Sequence, residues 1–257
     1  CVLTSCGWKT IDKITNGEVV AQFDPEEGNN GALSFVKAKT VPSHHAQVVY
    51  DINVPGVTRM VVSGGHRMYV EKDNGSYAVY EARDLLDHLN KGEKFYIRTS
   101  QRSEISLVEN ISSFEKDMDE FSQGKSSSPL ERYSSVGVDS ISPSWCHSII
   151  SIISQKYSHI LWDAEDIDLL TSWAVVVGMH VEVEETQGKY KISFSHESTV
   201  EIKAEHFSQL DSQEVYCLQV PSTFLYVKHR DETSSPVVTG NCIHAKSYSN
   251  IFMTLAS

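Results

Sequence analysis

The chain is 257 residues long, with 22 Lys and Arg against 34 Asp and Glu for a formal net charge of −12, and 40% of it is hydrophobic. That is enough apolar chain to bury a core, which excludes general disorder, and no run reaches the ~18 to 20 apolar residues of a membrane span. Net acidity argues against a general nucleic-acid binder, because phosphate affinity comes from Lys and Arg; with no basic-then-apolar leader, the expectation is a soluble, cytoplasmic protein with no membrane partner.

Residues 1–100 read as β-rich. Short alternating or β-branched runs at 18–23, 46–52 and 58–62 are separated by Gly, Asn and Pro clusters. One amphipathic stretch, 81–89, predicts a short helix that closes at Asn90-Lys91-Gly92. From 101 to 205 the texture changes. Residues 112–144 are polar and Ser-rich and read as a loop or linker. Helices are predicted at 145–155 and 164–177, the second ending at Gly178, and strands at 180–184 and 189–194 around a turn at Thr186-Gln187-Gly188. This stretch holds 8 basic and 18 acidic residues, so nearly all the net acidity belongs to it and it reads as an acidic insertion. The β texture resumes after 206 with runs at 214–220, 224–227 and 236–241, and 242–257 has the spacing of part of a helix. The predicted division is therefore 1–100, 101–205, 206–241 and 242–257.

The five cysteines, Cys1, Cys6, Cys146, Cys217 and Cys242, are odd in number and lack zinc-finger spacing. Neither a disulfide framework nor a structural zinc site is expected. The first residue is Cys rather than Met, as in a processed chain or an excerpt of a longer polypeptide.

Three features combine: Cys1, the segment Ser63-Gly64-Gly65-His66 inside a β pattern, and Asn241-Cys242. Each alone has a plain structural reading, as a terminal residue, a strand histidine and a loop dipeptide. Together they supply an autocatalytic peptide rearrangement. A thiol beside a peptide bond attacks the preceding carbonyl and turns an amide into a thioester, and a nearby His protonates the departing nitrogen. A second thiol takes over the acyl group, and an Asn cyclises onto its own carbonyl and cuts the chain after itself.

Cys1-Val2-Leu3-Thr4-Ser5-Cys6-Gly7-Trp8-Lys9-Thr10-Ile11, the Ser-x-x-His segment, Val215-Tyr216-Cys217-Leu218-Gln219-Val220 and Val237-Val238-Thr239-Gly240-Asn241 before Cys242 resemble the ordered splicing blocks of an intein. The resemblance covers about 1–100 and 206–242. It implies the mainly β, horseshoe-shaped Hint fold, with 101–205 as an α+β insertion, and no cofactor for the single-turnover reaction. It makes Cys1 the first nucleophile and His66 the residue that strains and protonates the scissile amide. Cys242 becomes the second nucleophile and the first residue of the downstream host segment, and Asn241 the residue that cyclises; the flanking host sequences are partners in cis.

Departures from the family pattern are specific. Ser63 stands where Thr is usual and keeps the hydroxyl, Cys217 replaces the usual Asp, and Ser222-Thr223 replace a common His. Gly240 replaces the penultimate His that usually helps Asn cyclisation, which leaves His229 or a held water for that role. Cys217 and Thr239 also match a minority class that uses an internal Cys as branch point, but Met68 stands where that class has Trp, and Cys1 is present. Cys217 then either tunes the first acyl shift or packs.

Inteins often carry a homing endonuclease in the middle. The segment 168–181 followed by Lys189-Tyr190-Lys191-Ile192 faintly resembles half of one, yet no paired acidic helices appear. A degenerate remnant or an unrelated structural insertion is expected, and DNA binding is not. The tail Cys242-Ile243-His244-Ala245-Lys246-Ser247-Tyr248-Ser249-Asn250-Ile251-Phe252 resembles the small (β) subunit of ribonucleotide reductase. That resemblance makes His244 a ligand of a di-iron or dimanganese centre and Tyr248 the radical tyrosine. The spliced host would pair with the large reductase subunit. With the other ligands missing, this chain would hold no metal and have no reductase activity. A Hint domain that cleaves without ligating and an acidic binding module are the alternative readings.

Overall fold

A computed structural model describes residues 1–27, 31–100, 111–229 and 234–240. The opening residues form β1 (Val2–Thr4) and β2 (Gly7–Lys9), a tight hairpin whose turn places Gly7 at φ +100°. Then come β3 (Val19–Asp24), β4 (Ala32–Lys37), β5 (Lys39–Ala46), β6 (Val49–Ile52), β7 (Met60–Ser63), β8 (Arg67–Glu71), β9 (Tyr77–Glu81), α1 (Ala82–Asn90) and β10 (Phe95–Arg98). The helix expected at 81–89 is α1. Its Ala82, Leu85 and Leu89 repeat at the spacing of one buried helical face.

The middle segment contains α2 (Ser112–Ser122), α3 (Pro143–Lys156), α4 (Ala164–Val177), β11 (His180–Thr186) and β12 (Lys189–Ser195). The first of these corrects the loop expected over 112–144. Phe114 and Met118, one turn apart, are buried, and Phe121 packs behind them, while Ser and charged residues at the other positions mask the period. Gly178 at φ +71° ends α4 in the left-handed conformation. The β11–β12 hairpin turns on Gln187-Gly188, both at positive φ, the geometry that matches strand twist.

The chain then adds β13 (Thr199–Ile202), β14 (Phe207–Leu210), β15 (Gln213–Gln219), β16 (Phe224–Val227) and β17 (Val237–Gly240). Pairing of β13 with β10 brings the chain back to the sheets of the first hundred residues at Thr199, earlier than 206. The molecule is mainly β with an α+β middle segment. Among the described residues no helix is long and apolar enough to cross a membrane.

The largest sheet runs β17-β16-β1-β3-β4, with β2 beside β1. Here β1 enters antiparallel between two strands, with Val2 opposite Val227 and Thr4 opposite Val20. A second sheet, β13-β10-β8-β9, buries its apolar face with α1, while β14-β6-β7 and the β15-β5 ribbon complete the frame. The middle segment has its own core of Met118, Ile149, Trp162, Trp173 and Ile192. Val175 of α4, however, packs with Leu3, Phe23 and Tyr226 beneath β1.

An ion pair between Glu71 and Arg98, each 4% exposed, ties β8 to β10. The guanidinium also lies 5.2 Å from the Phe23 ring centroid. Removing one partner strands the other charge in the core. Glu71→Ala is therefore expected to cost ~3 to 5 kcal/mol in urea unfolding, and the double change Glu71→Leu/Arg98→Met to recover most of it. A single variant that unfolds at the unsubstituted midpoint would contradict this.

Candidate active site

Ser63-Gly64-Gly65-His66 was expected inside a strand pattern, but it forms the turn that carries the chain from β7 in one sheet to β8 in another. The His66 N–H donates to the Ser63 carbonyl at 2.9 Å and closes the turn. Gly64 donates its N–H to the Val48 carbonyl at 2.8 Å, and the His66 carbonyl accepts the Ala82 N–H at 2.8 Å. With its backbone fixed on both sides, the imidazole places Nε2 2.7 Å from Thr239 Oγ1. The histidine of the early block is thus joined directly to the last described strand.

Cys1 is held by a two-way backbone pair with Lys228. Its nitrogen donates to the Lys228 carbonyl at 2.5 Å, and its carbonyl accepts the Lys228 N–H at 3.0 Å. The pair continues the β1–β16 ladder by one residue. In a chain with residues before Cys1, this amine nitrogen stands in for the amide nitrogen of the preceding peptide bond. Burial pushes the amine down to about 6 from its ordinary 8.0; the Lys228 charge adds to the fall and Asp12 opposes it.

Beside this, β17 pairs with β16 so that Val227 faces Val237 and Phe224 faces Gly240. Its end passes very close to β8. A Cβ built on Gly240 would lie 2.6 Å from the Arg67 carbonyl oxygen and 3.0 Å from Arg67 Cβ. No side chain beyond hydrogen has room at position 240 on this backbone.

A cavity of roughly 370 Å³ opens between these elements, and Cys1, Ser63, His66, Lys228, His229 and Thr239 are among its lining residues. The fold therefore brings together five of the side chains singled out in the sequence, and Gly240 follows Thr239 on the same strand. His229 donates its backbone N–H to Thr58 Oγ1 at 2.5 Å, which fixes its approach to the cavity. Cys217 does not line it. It is buried in β15 opposite Val41, past a bulge, although Val215 and Tyr216 do reach the cavity. Asn241, Cys242, His244 and Tyr248 lie outside the described residues. Among the described residues no group of three His, Cys, Asp or Glu side chains is placed to hold a metal ion.

Lys228 was not singled out in the sequence. Its contribution to Cys1 is made by its backbone, which no residue type announces; the only signal was a Lys following the apolar run of β16.

No protein-family profile matches the chain, and no curated protein is similar to it. Among solved structures it is similar to the AceL NrdHF class 3 split intein, in a GSH-linked, splice-inactive variant, at 17% identity and a TM-score of 0.40 over 93% of each chain.

Gly240→Ala forces backbone apart at a 2.6 Å approach, and it is expected to lower unfolding free energy by ~1 to 3 kcal/mol in chemical denaturation. Unchanged stability would mean that β17 has slack against β8. The Cys1 amine gives a pH signature. Between pH 8 and 6 the unfolded chain gains a proton that the folded amine refuses, so stability falls as pH drops through that window and levels off below it. Comparing melting temperatures of the free and N-acetylated chains across pH 5 to 9 isolates the effect, since the acetylated chain lacks this titration.

Proposed function

We propose that the chain is a self-splicing intein, and that Cys1, His66, Asn241 and Cys242 carry the reaction. The observation that supports this most is the meeting of the two ends. Cys1 is clamped to Lys228, the last described strand stops at Gly240, immediately before Asn241, and His66 bonds Thr239 across the same cavity. Proximity of groups so far apart in sequence is what converts inert side chains into a reactive set.

In the first step Cys1 Sγ gives its proton to the His66 imidazole and bonds to the carbonyl carbon of the preceding host residue. The C–N bond breaks, and the nitrogen takes a proton from the His66 imidazolium, leaving a thioester on Cys1 and a free amine. Thr239 Oγ1 orients the His66 ring for this transfer. The Cys242 thiolate then attacks the thioester carbonyl and releases the Cys1 thiolate. The Asn241 side-chain amide closes on its own main-chain carbonyl, cutting the bond to Cys242 and leaving a succinimide. The host thioester on Cys242 relaxes to a peptide bond through its freed amine. His229, which lines the cavity, is the group proposed to assist the cyclisation where Gly240 leaves no room for a side chain.

The host reading, a ribonucleotide reductase β subunit with His244 as a metal ligand, rests on residues 242–252. The middle segment, with 8 basic and 18 acidic residues, is proposed as structural rather than DNA-cleaving.

Expression with host sequence restored upstream tests the proposal by mass spectrometry. Ligated host plus excised chain is expected. Cys1→Ala should block the upstream cut, Asn241→Ala should block the downstream one, and His229→Ala should slow downstream cleavage by about tenfold. Cleavage of both ends without ligation would move the chain to the autoprocessing class, and an inert precursor would overturn the reading. An unchanged downstream rate in His229→Ala removes that residue alone.

A further inference from the structure

The middle segment touches the reacting end of the chain through a small set of polar contacts on one face of α4. Lys228, whose backbone clamps Cys1, has a side chain only 3% exposed that forms an ion pair with Asp168 of α4. Its ammonium also lies 5.3 Å from the ring centroid of Trp8, in the β2 strand that pairs with β1. Trp8 Nε1 in turn donates to Thr171 Oγ1 at 3.1 Å, one helical turn along α4 from Asp168, and the Thr171 hydroxyl donates back to the Asp168 carbonyl at 3.0 Å. Beneath these contacts Val175, the next turn again, is 1% exposed against Leu3 of β1.

We infer that α4 is a positioning element for Cys1, acting through Asp168 on Lys228 and through Thr171 on Trp8. The physical reason lies in the shortness of β1. Three residues make too few ladder bonds to fix the geometry of a nucleophile, and the ammonium of Lys228 is nearly out of water. Without an anion, a buried cation moves toward solvent and takes its backbone with it. Asp168 supplies that anion, and its own exposure of 56% lets it do so at little desolvation cost. The stretch between the two splicing flanks is then part of the apparatus that holds the first nucleophile, rather than a passenger whose removal leaves the site intact. Asp168 and Thr171 touch no reacting atom, so they are positioning residues and not catalytic ones.

This rests on the splicing proposal, so two readouts are needed. The first is independent of splicing: in the chain as it stands, hydrogen exchange of the Lys228 amide, which donates to the Cys1 carbonyl, should be about tenfold faster in Asp168→Asn, while the Tyr226 amide, deeper in β16, is unmoved. The second uses a precursor with host sequence restored upstream and Asn241→Ala. Thiol-induced cleavage at Cys1 should slow about tenfold in Asp168→Asn and about threefold in Thr171→Val, and should return to near the unsubstituted rate in Asp168→Glu, which keeps the anion. A purely structural role predicts no such rescue. Equal exchange and equal cleavage in Asp168→Asn and the unsubstituted chain would overturn the inference, as would Asp168→Glu failing as badly as Asn. Faster exchange in Asp168→Asn with no thioester from the unsubstituted precursor supports the positioning role and overturns the splicing proposal instead.

Discussion

Between β16 and β3 there is space for one short strand, and β1 fills it. Val2 and Leu3 point to opposite faces, and both are buried: Val2 with Val20, Leu218 and Leu225, and Leu3 with Phe23, Tyr226 and Val175. A strand buried on both faces loses the usual polar alternation, and its position is fixed by packing on two sides rather than by its few ladder bonds. The location of Cys1 follows from that packing, and the pairing with Lys228 completes it. A one-residue slip would send Val2 and Leu3 to the wrong clusters and remove Cys1 from the cavity.

The other half of the site is set by close backbone approach. Gly240 brings β17 against β8, and that approach lets Thr239 reach the His66 ring. The absence of a side chain at position 240 and the Thr239–His66 bond are thus two faces of one geometric choice. A side chain at 240 would push the strands apart and lengthen the contact that orients the imidazole. The close approach couples the β7–β8 turn to the last described strand.

Much of the frame was legible because burial leaves a period. Leu85 and Leu89 with Gly92 marked α1, and the stretch that ends at Gly178 marked α4. The start of α2 was hidden because only Phe114, Met118 and Phe121 face inward while its other positions are Ser and charged residues, inside a Ser-rich stretch. The return to the first sheets at Thr199 was hidden for a different reason: the run Thr199–Ile202 is short and lies in an acidic stretch, and its strand character is set by a partner, Phe95–Arg98, about a hundred residues earlier. The chemistry of the site followed the same division. Cys1 and His66 could be picked out by what their side chains do. Lys228 acts through its backbone on Cys1 and through its side chain on a helix of the middle segment, and neither act has a local pattern.

The clamp on Cys1 also sets an order of events in time. Its two halves are 227 residues apart in sequence, so a growing chain that has made only its first strands has nothing to pair with Cys1. Contacts of such separation form late, after the loop between them has been closed at an entropic cost. Cys1 therefore stays outside its clamp until nearly the whole chain, including α4 and β16, has been synthesised and folded. Topology acts here as a timer: the cavity that Cys1 shares with His66 and Thr239 is assembled only once the last described strands exist to close it.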